Sequence, residues 1–111
     1  MNDERPAAAP RKRVRMAVQY RVGNETRWRV GHTENMSRSG ILLRVDGPIQ
    51  VASRLELILN VPARVLDTAP SDIRCRCLVR RNTLLPSLGY AAGVEFTQVA
   101  TDALDVAIER L

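Results

Sequence analysis

Two arginines, Arg11 and Arg15, stand four residues apart in the basic segment Arg11-Lys12-Arg13-Val14-Arg15. A guanidinium is a planar fork of N–H donors, which fits paired acceptors on a phosphate or on the edge of a base. Further along, the chain reads Asn35-Met36-Ser37-Arg38-Ser39-Gly40. Asn35 brings an amide that both donates and accepts, and Ser37 brings a hydroxyl. Gly40 has no Cβ, so its backbone can be approached closely. Taken alone, each half has a plainer reading: a solubilising basic tail, and an ordinary turn between two strands. Taken together they describe a site for an anion with hydrogen-bonding edges.

The other reactive residue types form no catalytic set. Asp and Glu are scattered, and no His stands beside a nucleophile. His32 is the single histidine and reads as a surface or hairpin residue. Cys75 and Cys77 are too few for a disulfide framework or a four-ligand metal site. They fall on one face of a strand and read as small core residues. No metal, cofactor or enzymatic activity is expected.

Composition sets the frame. The chain has 111 residues, 45% of them hydrophobic, which suits one modest core and no more. Of its 17 basic residues only Lys12 is not arginine. The segment through Arg15 carries five basic residues against two acidic ones, and the remainder twelve against ten. The excess therefore sits at the front, where an anionic partner would be met. No run approaches the roughly 20 apolar residues that span a bilayer. With no apolar leader in view, a cytoplasmic protein without membrane insertion is expected.

The elements must carry these residues to one place. Residues 1–10, with Pro6-Ala7-Ala8-Ala9-Pro10, read as a flexible N-terminal arm. Met16, Val18, Tyr20 and Val22 alternate with polar residues, the period of a strand. Gly23-Asn24 turns the chain, and a returning strand over 27–34 would hold Trp28 and Val30 inward. In such a hairpin Arg15 lies opposite residues 32–34, at the end of the sheet that holds Asn35. Strands follow over 41–45, 53–60, 73–81 and 90–96. Leu55, Leu57 and Leu59 form one inward row; Ile73, Cys75, Cys77 and Val79 form a second. Tyr90, Ala92, Val94 and Phe96 form a third. Residues 61–72 read as a long loop, and 84–89 as an apolar connection whose Leu84, Leu85 and Leu88 could meet a partner or cover a barrel end. Thr101 to Leu111 reads as a helix, with Thr101 as N-cap and Leu104, Ala107, Ile108 and Leu111 on one face. Six short strands and one helix predict an all-β antiparallel barrel, with no helices to support a parallel sheet.

The order and spacing of Arg11-x-x-x-Arg15 and Asn35-x-Ser37-x-x-Gly40 resemble the PilZ domain, a small bacterial β-barrel. The likeness runs from about Arg11 to the last strand, where Gly93-Val94-Glu95-Phe96 resembles the closing strand of the family. It implies a single PilZ-like domain over 11–111, a six-stranded split barrel with a C-terminal α-helix. It also implies binding of cyclic di-GMP. Arg11 and Arg15 would hold guanine and phosphate, while Asn35, Ser37 and Gly40 would form the facing edge. The arm would order on binding, and an unidentified downstream protein would read the change. Arg38 and Ser39 fall at variable positions of the pattern and receive no role. One alternative is a basic-armed barrel for single-stranded nucleic acid, weakened by scarce aromatics. Another is a PilZ-like protein-interaction module that binds no nucleotide.

Overall fold

The computed structural model describes residues 11–66, 69–87 and 89–110, without the side chains of 101 and 102. The expected flexible arm over 1–10 lies outside the described residues, as do Leu88 and Leu111.

Alternating apolar side chains build β2 (Ala17–Val22), β3 (Arg29–Met36), β4 (Gly40–Val45) and β5 (Arg54–Val61). Two longer strands follow, β6 (Ser71–Leu85) and β7 (Gly89–Val99). Around the sheet the order is β3-β2-β5-β6-β7-β4, and β4 pairs back onto β3. All pairings are antiparallel, so the chain forms a closed six-stranded barrel with no long free edge. The two-residue β1 (Lys12–Arg13) joins the far end of β3, with Arg13 opposite Asn35.

The inward rows of β2, β5 and β6 lie as read. Val18, Tyr20, Leu57, Leu59, Cys75 and Val79 are buried in one core. Burial pushes the Cys75 thiol up to about 12. Burial, and then the neighbouring Cys75, pushes the Cys77 thiol up as well.

Three local expectations are corrected. Trp28, just before β3, and Val30 on it do not fill the barrel: Val30 is 76% exposed. Trp28 is half-buried under the Arg21 guanidinium, 4.5 Å from the ring centroid. The inward positions fall instead to Gly31, Thr33 and Met36. Their spacing is uneven because Glu34 is an extra residue in the ladder between Thr33 and Asn35. On β7, Ala92 and Val94 are buried, whereas Tyr90, beside the hairpin tip, is exposed. The third correction concerns length. Leu84 and Leu85 are not a connection but the end of β6, paired with Tyr90 and Gly89. The expected loop over 61–72 also holds a single helical turn, α1 (Ala63–Leu66).

The C-terminal helix α2 (Thr101–Glu109) docks Leu104, Ala107 and Ile108 into the barrel core. Nine residues would not hold as an isolated helix, so this apolar face is what keeps it formed. Its N-cap is Ala100 and not Thr101, and no side chain caps it. Polar links act at the other end. Lys12 Nζ donates to the Ile108 carbonyl at 3.0 Å, and Arg110 Nη1 donates to the Leu66 carbonyl at 3.3 Å. Among the described residues no helix is long and apolar enough to cross a membrane.

Candidate functional site

The extra residue at Glu34 rotates the end of β3. Met36 points into the core, and Asn35 faces outward beside the incoming chain. Arg11 arrives there and grips both halves of the Asn35–Gly40 turn. Its Nε donates to Asn35 Oδ1 at 2.8 Å, and its Nη1 donates to Ser37 Oγ at 3.3 Å. Ser37 is fully buried, and its hydroxyl also accepts from the Ser39 backbone N–H at 3.2 Å. The Ser37 and Ser39 hydroxyls lie 3.0 Å apart. The turn closes through the Ser37 N–H on the Gly40 carbonyl, and Phe96 N–H holds the Ser39 carbonyl, each at 2.9 Å.

At Gly40 the backbone of β4 lies close against that of β7. A Cβ at this position would lie 2.1 Å from the Val94 carbonyl oxygen. The absence of a side chain is therefore required by strand pairing, before any ligand is considered.

Arg15 stands apart from this cluster. Its side chain is 71% exposed, with Nη2 3.9 Å from Glu34 Oε2. Glu34 is committed elsewhere. Arg44 Nη1 donates to it at 3.0 Å, and His32 Nε2 lies 3.4 Å away. The Arg44 hydrogen bond, with help from the charges of Arg15, Arg44 and His32, holds the Glu34 carboxyl below its ordinary value despite partial burial. Arg15 is thus loosely held and can turn to another anion.

The segment between the arginines is fixed by Thr33, a polar residue with no exposure. Its hydroxyl accepts from Met16 N–H at 2.9 Å and donates to the Val14 carbonyl. With the Thr33 N–H on the Met16 carbonyl at 2.9 Å, these bonds tie the interval between β1 and β2 to β3 and set where Arg15 emerges. Thr33→Val keeps the shape and leaves both backbone groups without their partner. A loss of about 1–3 kcal/mol is expected. The denaturant midpoint reads that loss, and amide exchange over residues 11–16 should quicken with it. An unchanged midpoint would mean that the hydroxyl does not hold this segment.

Two grooves flank the Arg11–Asn35 contact. One, of about 400 Å³, is lined by Arg11, Ser39, Gly40, Arg80, Arg81 and Glu95 among others. The other, of about 560 Å³, is lined by Arg13, Arg15, Glu34, Asn35, Leu42 and Leu85. A roomier hollow of about 750 Å³ lies elsewhere, around Trp28 and Arg29. Of its two arginines, Arg29 is already taken by Glu25 at 2.6 Å and Asp46 at 3.7 Å, and those two carboxylates line the hollow with it, so it suits an anion less well.

The structure therefore brings Arg11, Asn35 and Ser37 into contact, and sets Gly40 in the same groove as Arg11. Arg15 lies in the second groove with Asn35. Sequence reasoning missed Thr33, Ser39, Arg80 and Arg81. A polar Thr on a strand gives no core signal. The adjacent pair Arg80-Arg81 does break the alternation of β6, and that break marks a bulge. The variable motif positions also have work. Arg38 Nε lies 3.3 Å from Asp105 and its Nη2 3.9 Å from Glu109, both on α2.

The family of PilZ domains matches residues 7–111. No curated protein matches the sequence. Among solved structures the chain is similar to the Bacillus subtilis inhibitor of motility (MotI/DgrA), with a TM-score of 0.77 and 21% identity. The similarity covers 98% of this chain and 52% of that one, so this chain spans about half the length of that protein. At this identity the likeness concerns the fold.

Proposed function

The chain belongs to the PilZ domain family, and from that premise we propose that it is a cytoplasmic receptor that binds cyclic di-GMP and signals to a partner protein. The observation that carries the proposal is the grip of Arg11 on Asn35 and Ser37, across 24 and 26 residues of sequence. Both partners are neutral. A phosphate that approaches Arg11 competes with an amide and a hydroxyl and not with a carboxylate, and charge-assisted bonds are the stronger ones. Arg15, exposed and weakly paired, is available for the second anionic or guanine group. In this reading Asn35, Ser37 and Gly40 form the edge on the barrel that faces the two arginines.

Helix α2 supplies a route outward. Lys12 lies between Arg11 and Arg15, and Arg38 lies between Ser37 and Gly40; both bond to α2. A ligand that pulls on either motif alters the seating of that helix, and the partner protein reads it. A binding module rather than an enzyme is the role that fits.

The nucleic-acid reading finds little support. Tyr20 is buried and Trp28 is covered by Arg21, which leaves exposed Tyr90 without a second open ring to form a stacking platform. Calorimetric titration with cyclic di-GMP tests the proposal, with GTP and a short single strand as controls. Saturable heat with cyclic di-GMP alone is expected. Equal binding of the oligonucleotide, or no heat with any of the three, would overturn it.

A further inference from the structure

The ladder between β6 and β7 slips by one residue at Arg80. Val79 pairs with Val94 and Arg81 pairs with Gly93, so two residues of β6 oppose one step of β7. A bulge of this kind re-aims side chains. Here it brings both Arg80 and Arg81 into the groove that Arg11 lines. The two arginines then differ. Arg80 forms a short ion pair with Glu95 through Nε and Nη2. Arg81 makes no ion pair among the described residues. Its side chain lies across Gly93, where a Cβ would come within 2.9 Å of Arg81 Cγ and 3.0 Å of Nε. The missing side chain of Gly93 is what leaves room for the Arg81 side chain beside the groove.

Resting on the cyclic di-GMP reading above, we propose that Arg81 is a third arginine of the ligand site, one that takes a phosphate of the nucleotide across from Arg11. Like charges that line one groove of about 400 Å³ repel each other unless an anion joins them there. Burial and then the charge of Arg81 hold the Arg11 guanidinium below its ordinary value, in keeping with their shared groove. The arginine remains a cation throughout. A bound phosphate relieves both effects. Its two free oxygens can accept from Arg81 on one side and Arg11 on the other. Arg81 acts here through charge and not through a base edge, which separates its role from that of a guanine-reading arginine.

The test compares the parent with Arg81→Gln and Arg81→Lys, by calorimetry with cyclic di-GMP and by thermal melting without ligand. Loss of one charge-assisted contact should weaken Arg81→Gln binding by about tenfold or more. Arg81→Lys keeps the point charge and should stay within about threefold of the parent. Without ligand, neither variant should melt appreciably lower, because a repulsive charge is being removed or kept. Parent-like affinity in Arg81→Gln would overturn the inference while leaving the cyclic di-GMP reading intact. So would a clear loss of melting temperature in Arg81→Gln restored by Lys, since that marks a merely structural side chain. A parent protein that binds no cyclic di-GMP would overturn both, and would be recognised because no variant comparison is needed to see it.

Discussion

Gly40→Ala is expected to destabilise the barrel by about 3 kcal/mol or more. For a domain of this size that lowers the melting temperature by roughly 10–20 °C. The new Cβ would sit 2.1 Å from the Val94 oxygen and 3.2 Å from Glu95 Cα. All of these obstacles are backbone atoms of β7, so no side chain can swing aside. Relief requires β4 to move off β7, against the pairing of Gly40 with Glu95 and Ile41 with Val94. The Ser37–Gly40 turn moves with it, so ligand binding should fall too. Gly47→Ala is the control, because nothing lies within 4 Å of its added Cβ. That variant should melt within about 0.5 kcal/mol of the parent. Circular dichroism melts of the two variants decide the matter. If Gly40→Ala melts with the parent, the contact of β4 and β7 is looser than described.

Exchanging Arg11 and Arg15 together for Lys should weaken cyclic di-GMP binding by one to several decades. The net charge of +5 is unchanged. What is lost is the fork. A Lys ammonium is a point charge and cannot reach O6 and N7 of guanine as one planar group. Each bidentate contact of that kind carries about 1–3 kcal/mol, and about 1.4 kcal/mol is a decade in affinity. Stability should change little. Arg15 is largely exposed, and a Lys at position 11 can still donate to Asn35 or Ser37. Non-specific nucleic-acid binding follows phosphate neutralisation and should survive the exchange. Titration of the double variant that returns the parent's affinity would remove these two residues from the guanine-reading site.

The barrel was legible wherever apolar residues alternate without interruption. Val18 and Tyr20 on β2, Leu57 and Leu59 on β5, and Cys75 and Val79 on β6 lie as the period of two demands. Alternation fails once the ladder gains a residue, because every later side chain changes face. Before that point β3 misleads for a different reason: its apolar Val30 faces out, while the inward positions carry Gly31, which has no side chain, and polar Thr33. Glu34 shifts the count, and a buried Thr gives no apolar signal. The hairpin geometry nonetheless brought Arg15 opposite residues 32–34, and Arg13 pairs with Asn35. The neighbourhood of Arg11, Asn35 and Ser37 was therefore legible from type and spacing. Arg81 was not, because its place depends on a slip in β6 that is visible in sequence only as two adjacent arginines.

Burial leaves Cys75 and Cys77 with raised thiol pKa values, Cys75 at about 12. At neutral pH almost none of either is thiolate, the form that reacts. A labelling reagent must wait until the wall around β6 comes apart. The rate of labelling is then a clock on local opening, present in the natural chain and needing no added probe. Any molecule that prefers the closed barrel slows this clock in proportion to its occupancy. The two quietest side chains of β6 can thus report, in minutes or hours, whether the groove beside Arg81 is filled.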